Sequence, residues 1–404
     1  MNVLFLMIIS PEIEKNPNLY TELMEEFRDN GHNVYVAAID EKRNGRQTRI
    51  TEELGIKILH VKTGNMFGVN PIEKGLTTIS LGSIFKKEIK RYLSTVNFEL
   101  VLMPTPPITF APVMKYVQQR DGAKGYLILR DIFPQNAKDI ELMRNELLFK
   151  FFRQKEKYMY KVADYIGCMS QGNINYVLEH NPEVDKNKLE LLPNWCKVTD
   201  EDLVGENIDY KHKYGLDGKF VCIFGGNIGW PQELEFLIEL ANSVKDVEEI
   251  VFLIVGKGIK KPTIEKMIKD KNLSNVILKD FLPKADYDGL VKQCDLGLIN
   301  LDRRFTIPNI PSKTTGYFKA GLPILASVDE NTDYGRILEE SKAGLWSVTG
   351  DLQKYKDNLL KLLANPTALK AQGNNGRRYL EKYLTVEIAY NTIIKHFTDD
   401  TQTI

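Results

Sequence analysis

The chain has 404 residues, too many for one ordinary core, which predicts two domains of roughly 200 residues each. Lysine plus arginine equal aspartate plus glutamate at 54 each, so no global field draws the protein to nucleic acid and any polyanion contact must be local. A hydrophobic share of 43% with 27% charged residues is that of a folded, soluble chain. Cys168, Cys196, Cys222 and Cys294 are too scattered for a zinc ribbon or a C-x-x-C pair and read as reduced thiols of a cytoplasmic protein.

From the amino end, the apolar run 3–9 is too short to cross a bilayer and has no basic flank or small-residue cleavage site, so it reads as a buried first strand. Leu19, Leu23 and Phe27 then recur at helical spacing, and Asn30-Gly31 is a helix stop. Strand-length apolar runs follow at 34–39, 56–61, 100–103, 126–129 and 165–169, and again at 221–224, 250–255, 276–278, 296–301, 324–328 and 345–348. Near-continuous apolar strands alternating with helices predict parallel sheets covered on both faces, an α/β class. The polar stretch 194–217 is the expected linker. Past Leu352 the pattern is helical, ending with 386–397 and a disordered polar tail. The predicted domains are 1–203 and 204–384, with 385–404 as a helix and tail packing back toward the first.

Three places suit chemistry. The first is Gly225-Gly226-Asn227-Ile228-Gly229-Trp230-Pro231-Gln232, a glycine-rich turn entering a helix from about Glu233, followed after the next strand by the turn Gly256-Lys257-Gly258, with Pro262 in the first turn of the helix beyond. Backbone N–H groups at a helix N-terminus seat a diphosphate, although a plain tight turn is the structural alternative. Neither G-x-G-x-x-G nor a P-loop is present, which removes the main support for a dehydrogenase or ATPase. The second is RFTIPNIPSKTTGYFKAGLPIL, residues 304–325, where Ser312 is placed to cap a helix and Lys313 or Arg304 to neutralise phosphate, ordinary surface cations being the alternative. The third is Arg130-Asp131 at the end of a central strand, before Pro134 and Asn136, which reads either as a catalytic edge or as a buried ion pair. Met103-Pro-Thr-Pro-Pro107 ends the preceding strand in a similarly stiff loop.

His32, His60, His180, His212 and His396 show no metal-ligand spacing, so no metal is expected. No G-x-S-x-G elbow appears. Over 147–161 aromatic and aliphatic residues interleave with Lys150, Arg153, Lys155, Lys157 and Lys161, as in helices that lie on anionic membranes; a core-packed helix with a basic solvated face is the alternative.

Taken together, Gly225-Gly-Asn-Ile-Gly229 with Gln232, Gly256-Lys-Gly258, Pro311-Ser-Lys313 and Lys319-Ala-Gly-Leu-Pro323 resemble family 4 glycosyltransferases of the GT-B fold. Arg130-Asp-Ile-Phe-Pro-Gln-Asn136, Ala163-Asp-Tyr-Ile-Gly-Cys-Met-Ser170, Leu192-Pro-Asn-Trp195 and Thr306-Ile-Pro-Asn-Ile-Pro-Ser-Lys313 resemble a bacterial capsule and O-antigen subgroup that includes N-acetylfucosamine transferases. The resemblance implies two Rossmann-like domains with parallel sheets facing a central crevice, the first on the acceptor side and the second binding a nucleotide-sugar. It implies retaining, metal-independent transfer of a sugar, without a cofactor, from a UDP-linked donor to a polyprenyl-diphosphate-linked saccharide at the inner membrane face.

On that footing Asp131, Arg130 and Lys313 are the expected catalytic residues. Gly225, Gly226, Asn227, Lys257, Phe281, Arg304, Asn309, Ser312 and Thr314 are the expected donor-binding residues, the nucleotide base lying near the turn 280–283. The sequence departs from the wider family where two glutamates flank the donor, since their places fall on Pro308 and Gly316. A nucleotide-sugar epimerase on the same fold and a non-catalytic partner protein are the alternative functions.

Overall fold

The computed structural model describes residues 1–199 and 208–397. The chain divides into two compact units, Met1–Pro193 together with the segment from Val386, and Asn194–Thr385. In the first unit the strands are β1 (Asn2–Met7), β2 (Asn33–Glu41), β3 (Arg49–Glu53), β4 (Ile56–Thr63), β5 (Leu100–Pro104), β6 (Lys124–Leu129), β7 (Tyr165–Cys168) and β8 (Leu189–Leu191). They form an 8-stranded sheet in the order β3-β4-β2-β1-β5-β6-β7-β8. All neighbours are parallel except β3, which runs antiparallel to β4.

β1 lies between β2 and β5, and Val3, Leu4, Phe5 and Leu6 are buried there. Burial on both faces is why its sequence reads as an unbroken apolar run. The strand ends at Met7, short of the expected 9, and Ile9 is exposed. Helix Leu19–Asp29 follows, opened by Asn18, whose side chain accepts from the Tyr20 and Thr21 N–H groups; the helix buries Leu23, Met24 and Phe27. The last described helix, Val386–Ile394, packs on it: the Tyr390 ring stands 4.9 Å from Phe27, and the Tyr390 hydroxyl meets His32 Nε2 at 2.9 Å.

The second unit contains β9 (Phe220–Asn227), β10 (Ile250–Lys257), β11 (Val276–Lys279), β12 (Leu296–Asn300), β13 (Ile324–Val328) and β14 (Gly344–Val348). The order is β11-β10-β9-β12-β13-β14, parallel throughout. The expected linker 194–217 is part of this unit where described, with Trp195, Tyr210 and Leu216 buried and the Cys196 N–H donating to the Leu384 carbonyl at 3.0 Å. Burying a large apolar side chain stabilises by about 1.5–3 kcal/mol, enough to hold a polar-looking segment against a core. The division falls after Pro193; the expected boundary at 203 and the expected disordered tail past 397 lie outside the described residues.

Candidate functional site

In an open parallel sheet, the loops leaving the strands on either side of a reversal in strand order diverge and leave room for a ligand. In the second unit the chain builds outward from β9 to β10 and β11, then returns to place β12 on the other side of β9. The segment after β9 and the loop after β12 therefore leave the same edge at the reversal. They are tied together there, since the Asp302 N–H donates to the Pro231 carbonyl at 3.0 Å.

The glycine-rich turns of the sequence are in part strand. Gly225, Gly226 and Asn227 continue β9, pairing with Val255, Gly256 and Lys257 of β10. The glycines serve close approach: a methyl group on Gly225 would stand 1.8 Å from the Tyr287 hydroxyl oxygen, and one on Gly256 would stand 1.9 Å from the Gly226 carbonyl oxygen. The Gly226–Gly256 rung is thus bare backbone, with side chains returning only at the final pair, Asn227 and Lys257. Gly226 and Asn227 are exposed there.

Lys313 begins the short helix Lys313–Lys319. Its Nζ donates to Gln232 Oε1 at 2.8 Å and stands 3.9 Å from the centre of the Phe224 ring, while a methyl group on Gly226 would be 3.8 Å from Lys313 Cε. No carboxylate pairs with it among the described residues, and desolvation pushes its pKa down to about 7. A desolvated ammonium held by one amide and one ring is a costly arrangement that an incoming anion relieves. Lys257 and Phe281 also meet at this edge, with the Lys257 ammonium 5.0 Å from the ring of the exposed Phe281.

The other expected donor-binding residues divide. The Arg304 guanidinium is engaged bidentately by the buried Asp302 carboxylate at 2.9 and 2.6 Å, which offsets its charge locally. Thr314 is buried and its hydroxyl shares a 2.8 Å hydrogen bond with Tyr334, so it serves packing rather than a donor. Ser312 precedes the helix but makes no side-chain cap; its backbone is already helical, which points the hydroxyl away from the N–H groups it was expected to satisfy. The Asn309 carbonyl accepts from the Thr332 hydroxyl at 2.7 Å, and its buried Nδ2 has no partner among the described residues. Pro308 is buried, whereas Gly316 is exposed with open space where a side chain would stand.

In the first unit the reversal lies between β1 and β5. Thr105, just past β5, accepts on its hydroxyl oxygen from the Arg130 N–H at 2.9 Å and the Asp131 N–H at 3.1 Å. The Arg130 guanidinium reaches the Leu192 and Pro193 carbonyls at 3.4 Å and hydrogen-bonds the Tyr20 hydroxyl. Burial pushes Asp131 up to about 6, against the opposing pull of an Asn136 hydrogen bond and the Arg130 charge. Arg130 and Asp131 are therefore members of a wider polar cluster rather than an isolated pair.

Gln232, Asp302, Tyr20 and Thr105 escaped the sequence choice of site residues. Asp302 was legible as a carboxylate beside Arg304, and Thr105 lay inside a proline-rich loop already noted; Tyr20 carries no local signal because its partner is 110 positions away, at Arg130. Among the described residues no group of three or more His, Cys, Asp or Glu is placed to hold a metal ion.

Two Rossmann-like parallel-sheet units make this a GT-B fold. Sucrose-phosphate synthase from Thermosynechococcus elongatus aligns over 98% of both chains with a TM-score of 0.76 at 15% identity. Anabaena Alr3699/HepE, solved in complex with UDP-glucose, aligns over 98% of this chain and 99% of its own, with a TM-score of 0.69 at 13% identity. In sequence, residues 207–379 match the family described as "Glycosyl transferases group 1". Curated relatives include WbjE of Pseudomonas aeruginosa, named a probable glycosyltransferase, 24% identical over 62% of this chain and 60% of that protein. WcaI of Escherichia coli K12, named for glycosyl transfer in colanic acid biosynthesis, is 25% identical over 58% of each. The alignments thus span about three fifths of these relatives.

Proposed function

We propose that the protein is a glycosyltransferase that moves a sugar, N-acetylated or deoxy-amino in type, from a UDP-linked donor to a polyprenyl-diphosphate-linked saccharide during synthesis of a bacterial surface polysaccharide. The observation that carries this reading is Lys313, an ammonium without a counter-charge beside bare glycine backbone at the strand reversal of the second unit. A nucleotide diphosphate supplies the missing anion. The group 1 match over 207–379 and the UDP-glucose bound by HepE support the choice of donor; the name of WcaI supports a polysaccharide product.

In the reaction, the bond between the anomeric carbon and the diphosphate oxygen breaks while the acceptor oxygen bonds to that carbon on the same face, giving retention. Negative charge grows on the leaving diphosphate, where Lys313 and the backbone at Gly226 stabilise it more than in the ground state. The acceptor proton passes to Asp131, whose pKa of about 6 suits a base working near neutrality. No step draws on a metal or a cofactor.

The acceptor reading also gives helix Glu146–Val162 a role at the membrane face. Phe152, Met159 and Tyr160 are buried in the core, while Leu147, Leu148, Phe151 and Tyr158 are exposed among the lysines. No described helix is long and apolar enough to cross a membrane, so contact would be interfacial.

Incubation with a panel of UDP-sugars and a polyprenyl-diphosphate saccharide, read by mass spectrometry, tests the proposal. One donor should lose its sugar to the acceptor. Conversion of donor without acceptor would instead indicate an epimerase, and no consumption of any donor would refute both.

A further inference from the structure

We infer that Gln232 is a positioning residue for Lys313 that also sets its charge balance: the uncharged amide holds the ammonium in place and leaves its charge for an anionic ligand to neutralise. The identity of that anion rests on the proposed donor reading; the charge balance around Gln232 does not.

Arg303, Arg304 and Lys313 all follow β12, and the first two are matched to carboxylates. Arg303 meets Glu233 twice, its guanidinium at 2.6 Å and its backbone N–H at 3.0 Å. Arg304 is gripped by Asp302 at 2.9 and 2.6 Å. Lys313 receives the neighbour of Glu233 instead, its Nζ donating to Gln232 Oε1 at 2.8 Å. Glutamine and glutamate have the same reach and differ in charge, so the acid at 233 and the amide at 232 divide these cations into matched and unmatched. A hydrogen bond to a neutral amide fixes the ammonium, yet supports its charge far less than a carboxylate in the same place.

The backbone on both sides of Gln232 is pinned. It closes the short turn Trp230–Gln232, its N–H donating to the Gly229 carbonyl at 3.3 Å. Before it, the Pro231 carbonyl accepts from the Asp302 N–H at 3.0 Å, and the Lys260 ammonium stands 3.9 Å from the centre of the Trp230 ring. After it, Glu233 takes a left-handed φ of 39° and is held by Arg303. The amide is therefore presented to Lys313 from a stiff turn. The other groups against the lysine, the Phe224 ring and the Gly226 backbone, do not titrate. The acids of the two loops packed there, Glu233 and Asp302, are spent on their arginines. Gln232 is thus the position at which a single change of charge would match Lys313 from within the chain.

The test uses the full chain labelled with ¹³C at the lysine ε carbons, titrated by NMR across neutral and alkaline pH, with UDP affinity measured by calorimetry at pH 6 and pH 8. The Lys313 resonance, identified by its loss in Lys313→Ala, should titrate near 7 in the wild-type chain. In Gln232→Glu its midpoint should rise by about 2 or more, because an adjacent carboxylate favours the charged form. UDP should then bind about tenfold or more weakly at pH 6, and the difference between pH 6 and pH 8 should vanish. Gln232→Leu removes the hydrogen bond without adding charge, so the midpoint should fall, with UDP severalfold weaker at pH 6 and weaker still at pH 8. A merely structural Gln232 predicts that both substitutions weaken UDP alike and leave the pH dependence as in the wild type. That outcome, or a Lys313 midpoint unmoved in Gln232→Glu, would overturn the inference. Midpoints that move as stated in a chain that binds no UDP leave Gln232 its role and remove the donor reading; UDP binding with unmoved midpoints does the reverse.

Discussion

Asp131 in the first unit and Lys313 in the second are opposite charges treated alike. Each follows a strand near the reversal of its own sheet, and desolvation drives each toward its neutral form, Asp131 up to about 6 and Lys313 down to about 7. Their surroundings differ. Asp131 is held within a cluster of Thr105, Asn136, Arg130 and Tyr20, whereas Lys313 has a single amide and a ring. A carboxylate so supported is positioned for proton transfer, and an ammonium so poorly supported is waiting for an anion.

The sharpest way to separate the two is Asp131→Asn, which should lower kcat by about 10²-fold or more while leaving UDP affinity unchanged. A parallel loss of thermal stability with kcat intact would make Asp131 structural. Lys313→Ala should raise the barrier by about 2 kcal/mol, ~30-fold in kcat/KM, and should weaken UDP binding as well. If only stability moves, the diphosphate is held elsewhere on this edge.

The pH dependence of the two groups has opposite sign. Lys313 must be protonated to hold a diphosphate, so UDP affinity should fall by roughly tenfold per pH unit above about 7 until the pKa of the complex is reached. Asp131 must be ionised to act as base, so kcat should fall below about 6. For stability, the folded Asp131 pKa is raised above its ordinary value of 3.8, so the cost of burying its charge is absent below that value and complete above about 6. The folded Lys313 pKa is lowered from 10.5, so its cost is complete below about 7 and gone above 10.5. The smallest effect is expected from Thr314→Val, which removes the hydrogen bond to Tyr334 and should cost about 1 kcal/mol in denaturant unfolding with UDP affinity unchanged. A change in affinity would return Thr314 to the donor site.

The buried parallel strands were legible because burial on both faces writes a continuous apolar run, as in β1 and β10. β3 was not, since Arg49–Glu53 is a polar edge strand of partly or fully exposed residues. The linker was misread for a related reason: Trp195, Tyr210 and Leu216 are buried singly, without a period to announce them. In the site, Lys313 and the glycines stood out by composition and local spacing. The fates of Arg304 and Thr314 depend on partners, Asp302 and Tyr334, whose geometry only the folded chain supplies.

Calorimetric titration of the full chain with UDP at pH 6 and pH 8, beside Lys313→Ala, tests the donor assignment most directly. A single site on the wild-type chain that binds up to about tenfold more weakly at pH 8 than at pH 6, and loses both affinity and pH dependence in Lys313→Ala, is the expected result. No UDP binding at either pH, or binding that neither pH nor the substitution alters, would contradict it.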